Sequence, residues 1–151
     1  MGFDRIAAEG GRVIVAGVDG SDSSWRATAY AVGLARRQNA LLVLVHVLPV
    51  HPTAVLAGVA WMLTDSDMSL AKQLRQRVAV GLGCMGEAWS PRWEFHVVTA
   101  ADPVAGLSEV ADELRADTVV VGASERLVHR VAGSVGVRMV KAGRWPVVVV
   151  P

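Results

Sequence analysis

The sequence has little of what holds small domains together by covalent or metal cross-links. Its single cysteine, Cys84, excludes an internal disulfide and a cysteine-based zinc site. The longest apolar run, 54–63, has about half of the roughly 20 residues that a membrane-spanning helix needs. The first residues include Asp4, Arg5 and Glu9 and no apolar segment, so we expect no signal peptide. We therefore expect a soluble, cytoplasmic domain with no membrane partner.

An excess of charge of either sign is also lacking. The 151 residues hold 15 Lys and Arg against 14 Asp and Glu, so the net charge of +1 gives no basic footprint for nucleic acid. The four histidines do not have metal-ligand spacing, and neither a Gly-x-Ser-x-Gly elbow nor a Gly-x4-Gly-Lys-Ser/Thr loop occurs. We accordingly assign no catalytic residues and no metal ligands.

What the sequence does contain is an alternation of apolar runs and helical patterns. A hydrophobic content of 52% excludes a disordered chain. Short apolar runs rich in β-branched residues are typical of strands that are buried on both faces of a parallel sheet. The predicted strands are 12–18, 41–48, 93–98, 118–121 and 146–150, and the predicted helices are 25–38, 67–83, one that starts at Asp102-Pro103, and 133–142. This order predicts an α/β fold with a doubly wound, five-stranded parallel sheet and helices on both faces.

The remaining segments are the N-terminal residues 1–11, which we expect to form a flexible arm, and the apolar stretch 50–66, which has no clear period. Residues 12–151 then form one domain. In the first helix we expect Trp25, Ala29, Val32 and Ala35 to form the apolar face.

In open α/β sheets, ligands bind beyond the carboxyl ends of the strands. Glycine-containing helix N-termini there bind phosphate through free backbone N–H groups. The candidate residues are Gly17, Asp19 and Gly20 after the first strand, His46 and Val47 in the second, Gly122 after the fourth, and Gly133, Ser134 and Val135 at the start of the last helix. Their chemistry predicts a nucleotide or another phosphate ligand.

Each of these residues also has a purely structural interpretation. Gly17, Gly20 and Gly122 would allow tight turns, Asp19 would cap the first helix or pin the turn, and Ser134 would be an ordinary N-cap. His46 would be a histidine of the core or of a pocket wall. The residues alone leave both interpretations open.

Several runs, taken in order and spacing, resemble the universal stress protein domain. They are 13–21, 42–47, Asp102-Pro103, 116–122, 133–135 and 146–150. The resemblance covers 12–151. It implies a Rossmann-like sheet in the order 3-2-1-4-5, similar to that of the adenine nucleotide alpha hydrolases. It also implies a homodimer formed through the C-terminal strand.

Family members that bind ATP resemble a pattern Gly-x2-Gly-x9-Gly-Ser/Thr. The sequence keeps Gly122 and Gly133-Ser134, but Glu125 occupies the middle glycine position, and ten residues rather than twelve separate Gly122 from Gly133. A glutamate repels phosphate. The resemblance implies that Asp19 and the backbone of Val47 hold adenine and ribose. It also implies that Gly122, Gly133, Ser134 and Val135 hold the rest of the site, beside Gly17.

The resemblance implies a stress-response or regulatory domain that binds ATP, with magnesium, or another adenine nucleotide weakly, and that hydrolyses ATP slowly at most. One alternative is a dimeric interaction module without nucleotide. A second alternative is an adenylating enzyme of the ATP pyrophosphatase kind, because 19–24 resembles a pyrophosphate loop. That loop needs serine and glycine, whereas Val18 and Asp19 stand in those positions.

Overall fold

The computed structural model describes residues 11–50, 65–123 and 135–151. Five parallel strands form one sheet in the order β3-β2-β1-β4-β5. In chain order the elements are β1 Val13–Gly17, α1 Asp22–Gln38, β2 Leu41–Pro49, α2 Asp65–Gly83, β3 Trp93–Ala100, α3 Pro103–Glu113, β4 Thr118–Gly122, α4 Val135–Ala142 and β5 Val147–Val150. The predicted fold class and strand order are confirmed, and element ends within the described ranges lie within about three residues of the predicted ones.

Two apolar layers flank the sheet, because successive side chains of a strand point to opposite faces. Ile14, Leu44 and Val120 pack with α1 and α2 on one face. Val15, Val43 and Val119 pack with α3 and α4 on the other face. The β-branched runs therefore form strands that are buried on both sides, as the continuous apolar pattern predicts.

Helix α1 has caps at both ends. The Ser21 side chain accepts a hydrogen bond from the Ser24 backbone N–H, and Asn39 ends the helix in the left-handed region with φ 50°. The predicted apolar face is partly wrong, because Ala29 is exposed and Trp25 is half-buried. The buried face instead follows the small residues Ala27, Ala31 and Ala35, which let α1 lie close to the sheet.

Helix α3 starts as its Asp-Pro pair predicts. Asp102 is the N-cap, its carboxylate accepts hydrogen bonds from Val104 and Ala105, and Pro103 occupies the first helical position. The predicted arm 1–11 and segment 50–66 fall almost wholly outside the described residues. Among the residues described, no helix is long and apolar enough to cross a membrane.

Candidate functional site

The candidate site lies at the carboxyl ends of the strands, where the order of strands in the sheet reverses between the adjacent strands β1 and β4. Helices α1 and α2 pack on one face of the sheet, and α3 and α4 pack on the other. Helix α1, which follows β1, and helix α4, which follows the adjacent strand β4, therefore lie on opposite faces of the sheet, the topology in which ligands bind beyond the strand ends. This arrangement brings Gly17, Asp19 and Gly122 to one edge, with Val47 on the neighbouring strand β2.

Helix α4 starts at Val135 in the structure, so this predicted site residue stands at a helix N-terminus. Two other predicted residues, Gly133 and Ser134, lie outside the described residues, as does Glu125. The phosphate end of the predicted site therefore stays a prediction.

Asp19 pins the turn between β1 and α1. Its Oδ1 atom accepts hydrogen bonds from the backbone N–H of Ser21 at 2.8 Å and from the Ser21 hydroxyl at 2.6 Å. Between these two residues Gly20 has φ 89°, a conformation that side chains with a Cβ rarely adopt. Ser21 rather than Asp19 caps α1. Of the two structural roles expected for Asp19, the structure therefore shows stabilisation of the turn.

The environment of Asp19 keeps its carboxylate ionised. Burial raises the pKa of Asp19, but hydrogen bonds from Ser21 and Ser24, together with the electrostatic effect of His46, outweigh burial and leave that pKa below its ordinary value. Asp19 nevertheless stays exposed at the edge of the sheet. An exposed, ionised and oriented carboxylate accepts hydrogen bonds from ligand hydroxyl groups and repels phosphate.

Two site glycines allow close packing. A Cβ atom at Gly122 would lie 2.6 Å from the carbonyl carbon of Ser23, so the end of β4 touches the first turn of α1. A Cβ atom at Gly17 would lie 3.2 Å from Leu107 Cδ1 in α3. Close packing rather than the expected tight turn is thus the structural role that both glycines show, and Gly122 places the end of β4 against the first turn of α1.

His46 and Val47 connect the end of β2 to the turn after β1. His46 is buried at 5% exposure, and its Nδ1 atom lies 2.8 Å from the Val18 carbonyl oxygen. The Val47 side chain packs on α3, where a Cβ atom at Gly106 would lie 2.8 Å from its methyl groups. This packing fixes the backbone of Val47 at the edge of the site.

Asp102 and Arg138 form a link that the sequence did not predict. Arg138 Nη2 donates a hydrogen bond to Asp102 Oδ2 at 2.9 Å, so the start of α3 is tied to α4. The hydrogen bond from Arg138 and the backbone N–H of Ala105 hold the pKa of Asp102 below its ordinary value. The Asp-Pro pair identified the cap, whereas the partner lies 36 residues away and has no local signal.

A metal site is not formed by the described part of the chain. In residues 11–50, 65–123 and 135–151, no group of three His, Cys, Asp or Glu side chains could hold a metal ion.

A parallel sheet in the order β3-β2-β1-β4-β5 with helices on both faces defines the Rossmann-like class of α/β domains. The model of the Universal stress protein family matches residues 11–151, and the chain belongs to this family. A universal stress protein of Methanocaldococcus jannaschii is 29% identical over 140 residues, which are 91% of this chain and 80% of the relative.

Solved structures of the family have the same fold. A universal stress protein in complex with cAMP is 26% identical, with a TM-score of 0.65 over 93% of this chain and 96% of the other. A universal stress protein from Archaeoglobus fulgidus in complex with dAMP is 22% identical, with a TM-score of 0.67 over 93% and 98% of the two chains. The second likeness supports the fold alone.

Proposed function

We propose that this protein is a stress-response regulatory domain that binds an adenine nucleotide at the carboxyl edge of its sheet. The observation that carries this proposal is the ionised Asp19 carboxylate, which Ser21 orients at the end of β1 beside the end of β2. The cAMP complex of a structural relative supports the choice of ligand.

The nucleoside end of the ligand fits the described residues. Both hydrogen bonds that Asp19 accepts from Ser21 end on Oδ1. The Oδ2 atom is therefore the one that a ribose hydroxyl would meet. The backbone of Val47 would offer a donor and an acceptor to the edge of adenine, as the family resemblance implies. Together, these two positions would hold the base and the sugar.

The phosphate end would be held by Gly133, Ser134 and Val135 at the start of α4. The negative charges of Glu125 and Asp19 work against a long polyphosphate, because like charges repel. We therefore expect AMP and cAMP to bind at least as tightly as ATP with magnesium. We propose no catalytic role beyond slow ATP hydrolysis.

Titration calorimetry with AMP, cAMP and Mg-ATP tests this proposal. The variant Asp19→Asn should weaken AMP about 10- to 100-fold, because a hydrogen bond to a charged group contributes about 1.5–3 kcal/mol. Asp117→Asn is the matched control, since the Asp117 carboxylate also accepts a backbone N–H, from Val13 at 2.8 Å, but at the opposite edge of the sheet. This control should leave the affinity for AMP unchanged.

A thermal scan gives a second readout. A ligand at 100 times its Kd adds about 2.7 kcal/mol, which raises Tm by several degrees at this chain length. If no nucleotide shifts Tm at millimolar concentration, adenine-nucleotide binding is wrong. The alternative of a nucleotide-free interaction module is then favoured.

The edge of the sheet at β5 supports a homodimer. Among the strands of the described residues, β5 pairs with β4 alone, and Val149 is 42% exposed. Helix α4 beside it exposes Val137 and Val140, the latter at 56%. An apolar strand edge flanked by exposed valines favours pairing with a second copy.

Light scattering after gel filtration tests the dimer. Val140→Lys should shift the mass toward the monomer, whereas Val80→Lys changes an equally exposed valine on α2 and should leave the mass unchanged. A monomeric wild-type protein contradicts the dimer.

The single exposed thiol of Cys84 fits a reducing compartment, so we also propose a cytoplasmic location.

A further inference from the structure

His46 is a buried polar side chain of β2, directly before Val47 of the candidate site. The residue is only 5% exposed, and its Nδ1 atom lies 2.8 Å from the Val18 carbonyl oxygen. A carbonyl oxygen only accepts hydrogen bonds, so Nδ1 must carry the proton and donate. In this tautomer the second ring nitrogen is Nε2.

The Nε2 atom has no hydrogen-bond partner among the residues that the structure describes. A buried polar atom without a partner destabilises a fold. An apolar side chain at this position would avoid that cost. The ring is therefore not explained by stability alone, and the group it does contact, the Val18 carbonyl, indicates what it does.

Both backbone polar groups of Val18 form hydrogen bonds with residues of β2. Its backbone N–H donates to the Val45 carbonyl oxygen at 2.9 Å, and its own carbonyl oxygen accepts from His46. This carbonyl belongs to the peptide group that joins Val18 to Asp19. The His46 ring thus fixes the direction in which the chain leaves β1 and enters the Asp19 turn.

We propose that His46 is a positioning residue of the ligand site, which sets the orientation of Asp19 relative to Val47 by donating a hydrogen bond to the Val18 carbonyl. His46 and Val47 are consecutive residues of β2, so one short segment would carry both the base-binding backbone and the group that orients the carboxylate. This inference rests on the proposed function for its effect on ligand affinity, but not for its effect on the turn.

Two amide variants separate positioning from burial of a polar group. In His46→Asn the amide nitrogen is bonded to Cγ, as Nδ1 is in histidine, whereas in His46→Gln it lies one atom further out, near the Nε2 position. His46→Asn should therefore keep the bond to Val18, and His46→Gln should lose it. Both variants bury an amide, so a difference between them does not come from polarity.

The first arm of the experiment needs no ligand. Nitrogen NMR of the wild-type ring should show a protonated Nδ1 and an unprotonated Nε2. Backbone hydrogen exchange at Ser21, whose N–H donates to Asp19, should accelerate about fivefold in His46→Gln, which corresponds to one hydrogen bond of ~1 kcal/mol. It should stay at the wild-type rate in His46→Asn. A ring without a proton on Nδ1, or equal exchange in all three proteins, overturns the proposal.

The second arm measures AMP affinity in a double-mutant cycle. His46→Gln should bind about tenfold more weakly, the equivalent of ~1.4 kcal/mol, and His46→Asn should stay close to the wild type. Combined with Asp19→Asn, His46→Gln should weaken binding no further, because it acts through that carboxylate. Additive losses overturn the positioning role.

The control for general loss of stability is Thr28→Val. Thr28 is another buried polar side chain on the same face, and its hydroxyl donates to the Ser24 carbonyl oxygen at 2.8 Å within α1. This variant should lower Tm and leave the AMP affinity unchanged. If the wild type binds no AMP, the proposed function fails, and the first arm alone then decides the role of His46 in the turn.

Discussion

Gly122 at the end of β4 lies against the backbone of Ser23 in the first turn of α1, where an added Cβ would be 2.6 Å from the Ser23 carbonyl carbon. Backbone atoms on both sides of this contact belong to regular elements, so neither side can move without disturbing a helix or a strand. The contact brings the end of β4 against the helix that follows the Asp19 turn. Gly122 is therefore needed for the shape of the site, with or without a ligand.

Gly122→Ala should lower the free energy of unfolding by about 1–3 kcal/mol, because the added methyl group forces a backbone shift. Urea unfolding measures the change. Gly81→Ala is the control, since this α2 glycine has open space around its Cβ position and alanine is the better helix former. The control should gain about 0.5–1 kcal/mol. Equal stability of Gly122→Ala and the wild type would show that the contact is loose.

Asp102 should make stability depend on pH in the acid range. The pKa of Asp102 is lower in the folded protein than in the unfolded chain, because Arg138 and backbone N–H groups bind the carboxylate. The ionised form therefore stabilises the fold above the ordinary pKa of about 3.9, and this contribution is lost as the pH falls.

Asp102→Asn keeps a capping side chain and removes the charge. It should be less stable than the wild type at pH 7, by no more than about 1 kcal/mol for an exposed pair. The difference should vanish toward pH 2–3 as the wild-type carboxylate becomes protonated. Urea midpoints at pH 7 and pH 3 measure it. A difference that stays constant with pH would assign the loss to packing rather than to charge.

Ser21→Ala should act on both the helix and the site. It removes the N-cap of α1, which costs about 1 kcal/mol of stability. It also removes the hydroxyl that donates to Asp19, so the pKa of Asp19 should rise toward its ordinary value. Carboxyl-carbon NMR across a pH titration measures this pKa. Ser69→Ala, an exposed serine in α2, should change neither quantity.

Met139 fixes α4 to the sheet. Its side chain is fully buried in the layer that also holds Leu107 and Val110 of α3. Met139→Ala should lower the free energy of unfolding by about 2–5 kcal/mol through the cavity that it leaves. The exposed Met68→Ala in α2 should stay within about 0.5 kcal/mol of the wild type. Thermal and urea unfolding compare the two variants, and similar losses would place Met139 outside the core.

Most elements of the fold followed from local patterns. The valine-rich runs predicted strands, and the Asp102-Pro103 pair predicted a helix start, because capping and strand burial depend on residues within a few positions of each other. The apolar face of α1 was harder to predict. Alanine fits both an exposed and a buried position, so the pattern placed Ala29 inside, whereas the structure buries Ala27 and Ala31.

The candidate site was predicted as a set of residues but not as an arrangement. Sequence order identified Asp19, Val47 and Gly122 because each stands at the end of a predicted strand. Sequence order left open whether Asp19 caps a helix or stabilises a turn, because Asp19 and Ser21 both have capping side chains. The structure shows that the Ser24 N–H donates to Ser21.

The sequence by itself determined the fold class and the family, because these follow from the order and period of local elements. Only the tertiary structure decided that His46 reaches the Val18 carbonyl, that Arg138 pairs with Asp102 and that Gly122 touches Ser23. These contacts join residues 28 to 99 positions apart, the last being the separation of Gly122 and Ser23. The crossover topology brings them together, and no local preference of the chain encodes such distances.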